Sequence, residues 1–145
     1  MKLRRIVVAL ALTALLTACG GGPVKRINPP TASIQELSVQ ADGTWRLLIR
    51  VQNYSTVPMT FSSVTAHVSI NDTDVGELSV SPNLEIVGES ADIVTTTIKP
   101  NLKLPAGDFG YQLKGTIITS EPSKDFEFDR SSRLSPVPGL PNTWR

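Results

Sequence analysis

Alternation of apolar and polar residues runs through most of the chain and predicts β-strands. The clearest segment is 44–53, where every second residue from Trp45 to Val51 is apolar and most residues between them are polar. A period of two places the apolar side chains on one face, as in a strand that is buried on one side. Six other segments have this pattern or a β-rich composition: 33–39, 64–70, 75–80, 93–98, 109–119 and 126–128.

Turn-forming residues separate these segments. Asp42 and Gly43 follow the first segment, residues 71–74 (Asn-Asp-Thr-Asp) follow the third, and Pro100 and Pro105 bracket a loop before the sixth. Beyond the N-terminal segment, no stretch carries an apolar stripe with the 3.6-residue period of a helix. About seven strands at short spacing, with turns between them, predict an all-β fold, an antiparallel β-sandwich.

The N-terminal segment has a different pattern, in which basic residues precede a continuous apolar run. Lys2, Arg4 and Arg5 come first, and residues 6–16 (IVVALALTALL) form the run. A helix needs about 20 apolar residues to span a bilayer. The run is therefore too short for a membrane anchor and is typical of the core of a signal peptide.

The apolar run ends in Leu16-Thr17-Ala18-Cys19, and Cys19 is the single cysteine of the chain. This sequence resembles the bacterial lipobox, in which small residues precede a cysteine. The resemblance implies that the Cys19 thiol is lipidated, that residues 1–18 are removed as a signal peptide, and that the new N-terminus is acylated with a fatty acid such as palmitate. The alternative is a fortuitous cysteine behind an ordinary signal peptide or an N-terminal membrane helix.

Lipidation of Cys19 bears on where the protein works. One acyl chain holds a protein only marginally, at about 0.8 kcal/mol per buried CH₂, so three chains would hold it permanently. In bacterial lipoproteins an aspartate directly after the cysteine favours the inner membrane. Gly20 stands there in this chain, which implies the outer membrane, with the protein on the periplasmic face. Residues 19–31 are then a lipidated N-terminus and a flexible, glycine- and proline-containing tether, which reaches at most about 40 Å.

The C-terminal segment, residues 131–145, contains three prolines and little periodicity. This composition predicts an extended tail outside the domain. We expect Trp144 to be an exposed tail residue, with anchoring at an interface or docking on a partner as the alternatives. The predicted domain boundaries are therefore 32 and 130.

Composition and charge exclude several classes of function. Lys and Arg number 14 and Asp and Glu 13 in the 145 residues, a net charge of +1, so nothing favours nucleic acid as a partner. One cysteine and one histidine exclude an internal disulfide framework and a zinc site built from several such ligands.

Candidate chemistry is sparse. His67 falls on the polar face of its segment, and we interpret it as exposed and inert. Residues 72–76 faintly resemble a calcium loop, but Val75 and Pro82 stand where the loop needs oxygen ligands, which favours a β-turn. We predict no catalytic, cofactor-binding or metal-binding residues and no enzyme activity. Three basic residues are expected to line one solvated sheet face, with contact to anionic headgroups or an acidic partner as the alternative: Arg46, Arg50 and Lys114.

The middle of the chain, residues 47–78, resembles the late embryogenesis abundant group 2 family, also called the LEA type 2 or water stress and hypersensitive response (WHy) domain. The positions that carry the resemblance are Val51, Asn53, Pro58, Phe61, Val68, Ile70, Asn71, Val75 and Gly76, followed later by Tyr111, Leu113 and Gly115. The family usually has Asn-Pro where this chain has Asn53-Tyr54. The resemblance implies a folded sandwich of the immunoglobulin or fibronectin-III type over residues 32–130. It also implies a role in desiccation and stress protection, with hydrophobic or lipid ligands for some members, and no catalytic residue.

Three functional hypotheses follow. The first is a membrane-anchored, non-catalytic binding or protective module of the periplasm that contacts an envelope protein or lipid, particularly under water stress. The second is a carrier of a lipid or other apolar ligand between the sheets, with the row Trp45, Leu47, Ile49 and Val51 as one wall. The third, an enzyme, ranks last because no catalytic set stands out in the sequence.

Overall fold

The computed structural model describes residues 20–145, which form two antiparallel β-sheets packed face to face. The strands are β1 (Thr31–Val39), β2 (Trp45–Asn53), β3 (Met59–Ile70), β4 (Thr73–Val80), β5 (Leu84–Ile86), β6 (Ser90–Ile98), β7 (Phe109–Glu121), β8 (Ser123–Leu134) and β9 (Thr143–Trp144). The first sheet has the order β6-β2-β1-β9. The second has the order β4-β3-β7-β8, with β5 paired to β3. The predicted antiparallel β-sandwich is confirmed, with nine strands instead of about seven.

The alternating residues fill the space between the sheets. In β2, Trp45, Leu47, Ile49 and Val51 are buried and the residues between them are exposed or half-buried. The second sheet contributes Phe61, Val64, Leu113 and Ile117, among others, to the same core. Full burial of a large apolar side chain contributes roughly 1.5–3 kcal/mol, so these rows supply most of the stabilisation.

The predicted turns are present, although the one predicted at residues 71–74 is shorter, since β4 begins at Thr73. Gly43 has a φ of +84° in the β1–β2 hairpin, a conformation that glycine adopts without steric cost. The Thr44 N–H donates to Asp42 Oδ1 at 3.0 Å, and this bond lowers the pKa of the Asp42 carboxyl. Asn71 and Asp72 both have positive φ between β3 and β4, as a tight hairpin turn requires.

The sandwich has two ends, the N-terminal end and the opposite end. At the N-terminal end lie the start of β1, the β2–β3 loop (residues 54–58) and the β5–β6 loop (residues 87–89). At the opposite end lie the β1–β2 hairpin, the β3–β4 turn and the β6–β7 loop (residues 99–108). Strand β2 runs from Trp45 at the opposite end to Asn53 at the N-terminal end.

The prediction of an extended tail over residues 131–145 is wrong. Strand β8 continues to Leu134, and the residues after it form a hairpin whose second arm, β9, pairs with Leu37 and Ser38 of β1. Trp144, expected to be exposed, is only 7% exposed and belongs to the core. The prolines suggest an extended tail, but they lie at positions where the hairpin needs no backbone N–H donor. Ser135 and Val137 supply its N–H groups, and the residues after each of them are prolines.

The tether prediction over residues 19–31 is also wrong in part. Strand β1 begins at Thr31, and residues 24–28 are held on the β2–β3 loop. The Thr56 hydroxyl accepts the Arg26 N–H at 2.8 Å and donates to the Val24 carbonyl at 2.7 Å, and the Thr56 N–H donates to the Arg26 carbonyl at 3.0 Å. The described part of the tether that makes none of these bonds is therefore residues 20–23.

Candidate functional site

A groove opens at the opposite end of the sandwich, between the β1–β2 hairpin, the β6–β7 loop and the C-terminal hairpin. Its volume is about 420 Å³. Its apolar lining consists of Val39, Trp45, Leu102, Leu104 and Trp144. These residues come from four separate parts of the chain, and the fold brings them together at one edge of the core.

The two tryptophans are fixed by the surrounding structure. The Trp144 indole N–H donates to the Gly107 carbonyl at 3.3 Å, which ties the C-terminal hairpin to the β6–β7 loop. The Trp144 ring lies against the Phe109 ring, with 5.8 Å between centroids and 58° between planes, a tilted aromatic contact. Trp45 begins β2 and is almost fully buried. The floor of the groove is thus preformed.

The polar groups of the groove are few. Lys103 is the one titratable residue that lines it, and the side chains of Asn101 and Asn142 add amides. An apolar floor with a cationic group and amides suits a ligand with an apolar body and an acidic or hydrogen-bonding end. The lining residues contain no pair of titratable groups for general acid–base catalysis.

Two further depressions lie on the second sheet, each of about 370 Å³. One is lined by residues of the β3–β4 turn, β7 and β8, including Asn71, Gly110 and Arg133. The Asn71 side chain is already engaged there, because its Oδ1 accepts the Gly110 N–H at 2.9 Å. The other lies on β7 and β8, near Lys114 and Glu127. Neither has the tryptophan floor of the groove.

The residues predicted as candidates do not assemble into a site. Cys19, the predicted lipidation site, lies outside the described residues. His67 is exposed on β3, as predicted, with its ring nitrogens 3.9 Å from Asp74 Oδ2 and 3.6 Å from Glu77 Oε2. Within residues 20–145 no group of three or more His, Cys, Asp or Glu side chains is placed to hold a metal ion.

The three basic residues expected on one face are divided between the sheets. Arg46 and Arg50 lie on β2, in the first sheet, whereas Lys114 lies on β7, in the second. All three side chains are exposed. The prediction of one common basic face is wrong because period-two alternation assigns a face within a strand but does not say which sheet the strand joins.

The row from Trp45 to Val51 fills the closed core instead of lining an open cleft, since each of its four apolar side chains is at most 1% exposed. Tyr111 crosses this core from the second sheet. Its hydroxyl accepts the Ile34 N–H of β1 at 3.1 Å, and burial raises the pKa of the phenol. An apolar ligand therefore has its best place in the groove, at the edge of the core.

At the N-terminal end, the β2–β3 loop binds residues 24–28 of the same chain. Ser55 is fully buried, and its hydroxyl accepts the Asn28 N–H at 2.8 Å and donates to the Asn28 carbonyl at 3.1 Å. Asn53, also fully buried, donates its amide to the Val57 and Ile86 carbonyls and accepts the Ser55 N–H. These contacts were not predicted from the sequence. The Asn-x-Ser spacing is a signal that could have found them, since such side chains satisfy nearby backbone groups.

Within the described residues, no helix is long and apolar enough to cross a bilayer.

Comparison with known proteins adds little. No family model matches the chain, and no curated protein matches it. A crystal structure of a protein from Archaeoglobus fulgidus is similar at a TM-score of 0.42 with 14% sequence identity, over 77% of this chain and 98% of that one. A likeness at this level says nothing about function.

Proposed function

We propose that this protein is a lipoprotein anchored through Cys19 to the outer membrane, on its periplasmic face, and that it acts as a non-catalytic binding or protective module of the cell envelope. The observation that carries the proposal is the placement of the groove and the start of β1 at opposite ends of the sandwich. An anchor at one end leaves the groove at the other end free to meet a partner.

The proposed partner is an envelope protein or lipid that presents an apolar group to the groove. The half-buried side chains of Val39, Leu102 and Leu104 supply apolar contact area. The buried Trp45 and Trp144 beneath them hold the groove in shape, so little side-chain entropy is lost on binding. The exposed Lys103 favours a partner with an acidic group next to its apolar one.

The anchor is tested by fractionation of cells that express the full chain. Cys19→Ala should leave an unprocessed or soluble precursor, whereas the unchanged chain should fractionate with the outer membrane. Gly20→Asp is the matched control, because it keeps the cysteine and should move the acylated protein to the inner membrane. A Cys19→Ala chain that still fractionates with the outer membrane would contradict the anchor.

The groove is tested by photo-crosslinking in living cells. A photoreactive residue in place of Lys103 should give a discrete adduct with an envelope component. The same residue in place of His67, which is exposed on the second sheet, should not. Identical adducts at both positions would count against binding in the groove.

A second candidate function is the capture of a lipid or other apolar ligand, and the apolar lining of the groove favours it. Native mass spectrometry of the purified protein should then show a bound lipid. Leu104→Asp places a charge in the lining and should remove that lipid, while Asp129→Ala, on the second sheet, should leave it bound. If neither the unchanged protein nor the Asp129→Ala variant carries a lipid, lipid capture is wrong and the binding or protective module remains the proposed function.

The proposed role in desiccation or water stress follows from the family resemblance. It is tested by survival of a deletion strain after drying, with the full chain and the Cys19→Ala chain as the two complementing genes. Full rescue by the unanchored chain would show that the role does not need the membrane.

A further inference from the structure

Exposed apolar side chains are distributed unevenly over the molecule. Among residues 20–145, seven large apolar side chains are at least a third exposed. Four of these seven lie on the three short segments that meet at the N-terminal end, and we call them the N-terminal patch: Val24 (62% exposed), Ile27 (42%), Tyr54 (51%) and Val87 (57%). Leu140 is the one member of the seven in the loops of the opposite end.

The segments that carry the patch are bonded to one another. Residues 24–28 are hydrogen-bonded to the β2–β3 loop through Ser55 and Thr56, as described above. The β5–β6 loop joins them through the Glu89 N–H, which donates to the Ser55 carbonyl at 2.9 Å. Gly88 allows this approach, because a Cβ there would lie 2.6 Å from the backbone of Thr56. The patch is therefore a defined surface of the folded domain.

The covalent distance from the predicted lipidation site to this surface is short. Val24 lies five positions after Cys19, with four residues between them, and an extended chain over five positions spans at most about 18 Å. Between the two hydrophobic residues of the segment lie Lys25 and Arg26, and Glu89 adds one acidic group in the β5–β6 loop. An apolar surface with basic neighbours matches the boundary between anionic headgroups and acyl chains.

We propose that the N-terminal patch is the surface through which the folded domain rests on the bilayer. This inference rests on the proposed lipidation of Cys19. Val24, Ile27 and Val87 enter the headgroup boundary, and the Tyr54 ring lies at the interface, where its apolar ring and polar hydroxyl are both accommodated. The contact fixes the orientation of the sandwich and points the groove away from the membrane.

The test uses the full, acylated chain in vesicles of phosphatidylethanolamine with a minor fraction of phosphatidylglycerol. Acylation blocks the Cys19 thiol, so Val87→Cys introduces a single free thiol for an environment-sensitive fluorophore. We expect a blue-shifted emission that spin-labelled lipids quench. The matched control is Leu140→Cys, an exposed aliphatic position at the opposite end, whose label should stay in water. Equal, water-like spectra at both positions would overturn the inference.

A second variant checks that the patch causes the orientation. Tyr54→Ser with Val24→Ser, in the Val87→Cys chain, removes apolar contact but keeps the backbone hydrogen bonds of the two segments. Quenching at position 87 should fall several-fold. Ile93→Ser with Ile118→Ser, two exposed residues on the sheets, should leave it unchanged. Unaltered quenching in the first variant, with thermal melting showing a folded protein, would count against the patch.

Failure of this inference is distinguishable from failure of the anchor. The mass of the N-terminal peptide from the same preparation shows whether Cys19 is acylated. An unmodified cysteine overturns the anchor and the inference together, whereas an acylated chain with a water-exposed position 87 overturns the inference alone. In cells, a photoreactive residue in place of Tyr54 should attach to lipid, and a discrete protein adduct there would assign the patch to a protein partner instead.

Discussion

The two terminal segments of the described chain, residues 20–30 and 135–145, contain three prolines each, yet they join the domain by different means. The N-terminal segment, residues 24–28, is held by hydrogen bonds to Ser55 and Thr56, while its side chains stay exposed. The C-terminal hairpin is held by burial, since Trp144 enters the core and packs on Phe109.

Attachment by hydrogen bonds and attachment by burial should contribute differently to the free energy of unfolding. The bonds to Thr56 are exposed and those to Ser55 are partly buried. Hydrogen bonds of this kind contribute only about 0.5–1.5 kcal/mol each, so the N-terminal segment is expected to open locally without unfolding the sheets. Burial of a tryptophan contributes to the stability of the whole domain. The following predictions separate local from global effects, starting with the largest.

Trp144→Ala should lower the free energy of unfolding by about 3 kcal/mol or more, because it removes a large buried side chain and leaves a cavity beside Phe109. Urea denaturation measures the change. Leu140→Ala, an exposed residue of the same hairpin, is the control and should change stability by less than about 0.5 kcal/mol. Equal effects of the two substitutions would mean that the hairpin does not belong to the core.

Tyr111→Phe tests strand β1, which follows the N-terminal segment and pairs with β9 of the C-terminal hairpin. The variant loses the acceptor for the Ile34 N–H and should cost about 1–2 kcal/mol. Tyr54→Phe, at an exposed tyrosine, should cost almost nothing.

The Tyr111 contribution should also depend on pH. Because burial raises the pKa of the folded phenol, its stabilisation is fully present below the unfolded pKa of about 10 and is lost as the pH rises through the folded pKa. Urea denaturation at rising alkaline pH should therefore show a steeper loss of stability in the unchanged protein than in Tyr111→Phe. Parallel pH profiles would contradict this account.

Glu36→Ala should have a smaller effect. Arg145 places its Nη2 and Nε 2.7 and 2.8 Å from Glu36 Oε2, but the arginine is largely exposed. Such pairs contribute at most about 1 kcal/mol. The loss should shrink further in high salt, which screens an exposed pair. A loss that does not change with salt would show that Glu36 acts through packing.

Thr56→Val should have the smallest global effect and a clear local one. It removes the hydroxyl's bonds to the Arg26 N–H and the Val24 carbonyl and keeps the backbone bond from Thr56 to Arg26. Amide hydrogen exchange at Arg26 should rise about tenfold, with the melting temperature unchanged. Thr95→Val, at an exposed position of β6, should change neither quantity. Loss of global stability in Thr56→Val would mean that the N-terminal segment is as integral to the fold as the C-terminal hairpin.

Most of the fold was predictable from the sequence because seven of its strands are long enough to show alternation or β-rich composition. The two missed strands, Leu84–Ile86 and Thr143–Trp144, span three and two residues, too few for a period to appear. Trp144 was missed for a second reason. The prolines near Trp144 are compatible with an edge hairpin and with a disordered tail. The hairpin forms because Trp144 packs on Phe109 and β9 pairs with β1, and both of these partners lie far away in sequence.

The groove could not be predicted in the same way. Val39, Leu104 and Trp144 come from segments separated by tens of residues, and no local pattern records their meeting. The contacts of the β2–β3 loop were not predicted either, although the sequence carries a local signal for them in Asn53 and Ser55, which lie two residues apart. Local backbone chemistry is visible in the order of residues, whereas a surface assembled from several loops depends on the register of whole sheets.

Strand β2 connects the groove to the end of the sandwich where β1 begins. Its nine residues run from Trp45 to Asn53, a length of at most about 30 Å. With the proposed anchoring, the strand acts as a spacer of fixed length, which sets the height of the binding surface above the lipid headgroups. The proposal therefore predicts that a partner fixed to another surface of the envelope must extend to that height to reach the groove.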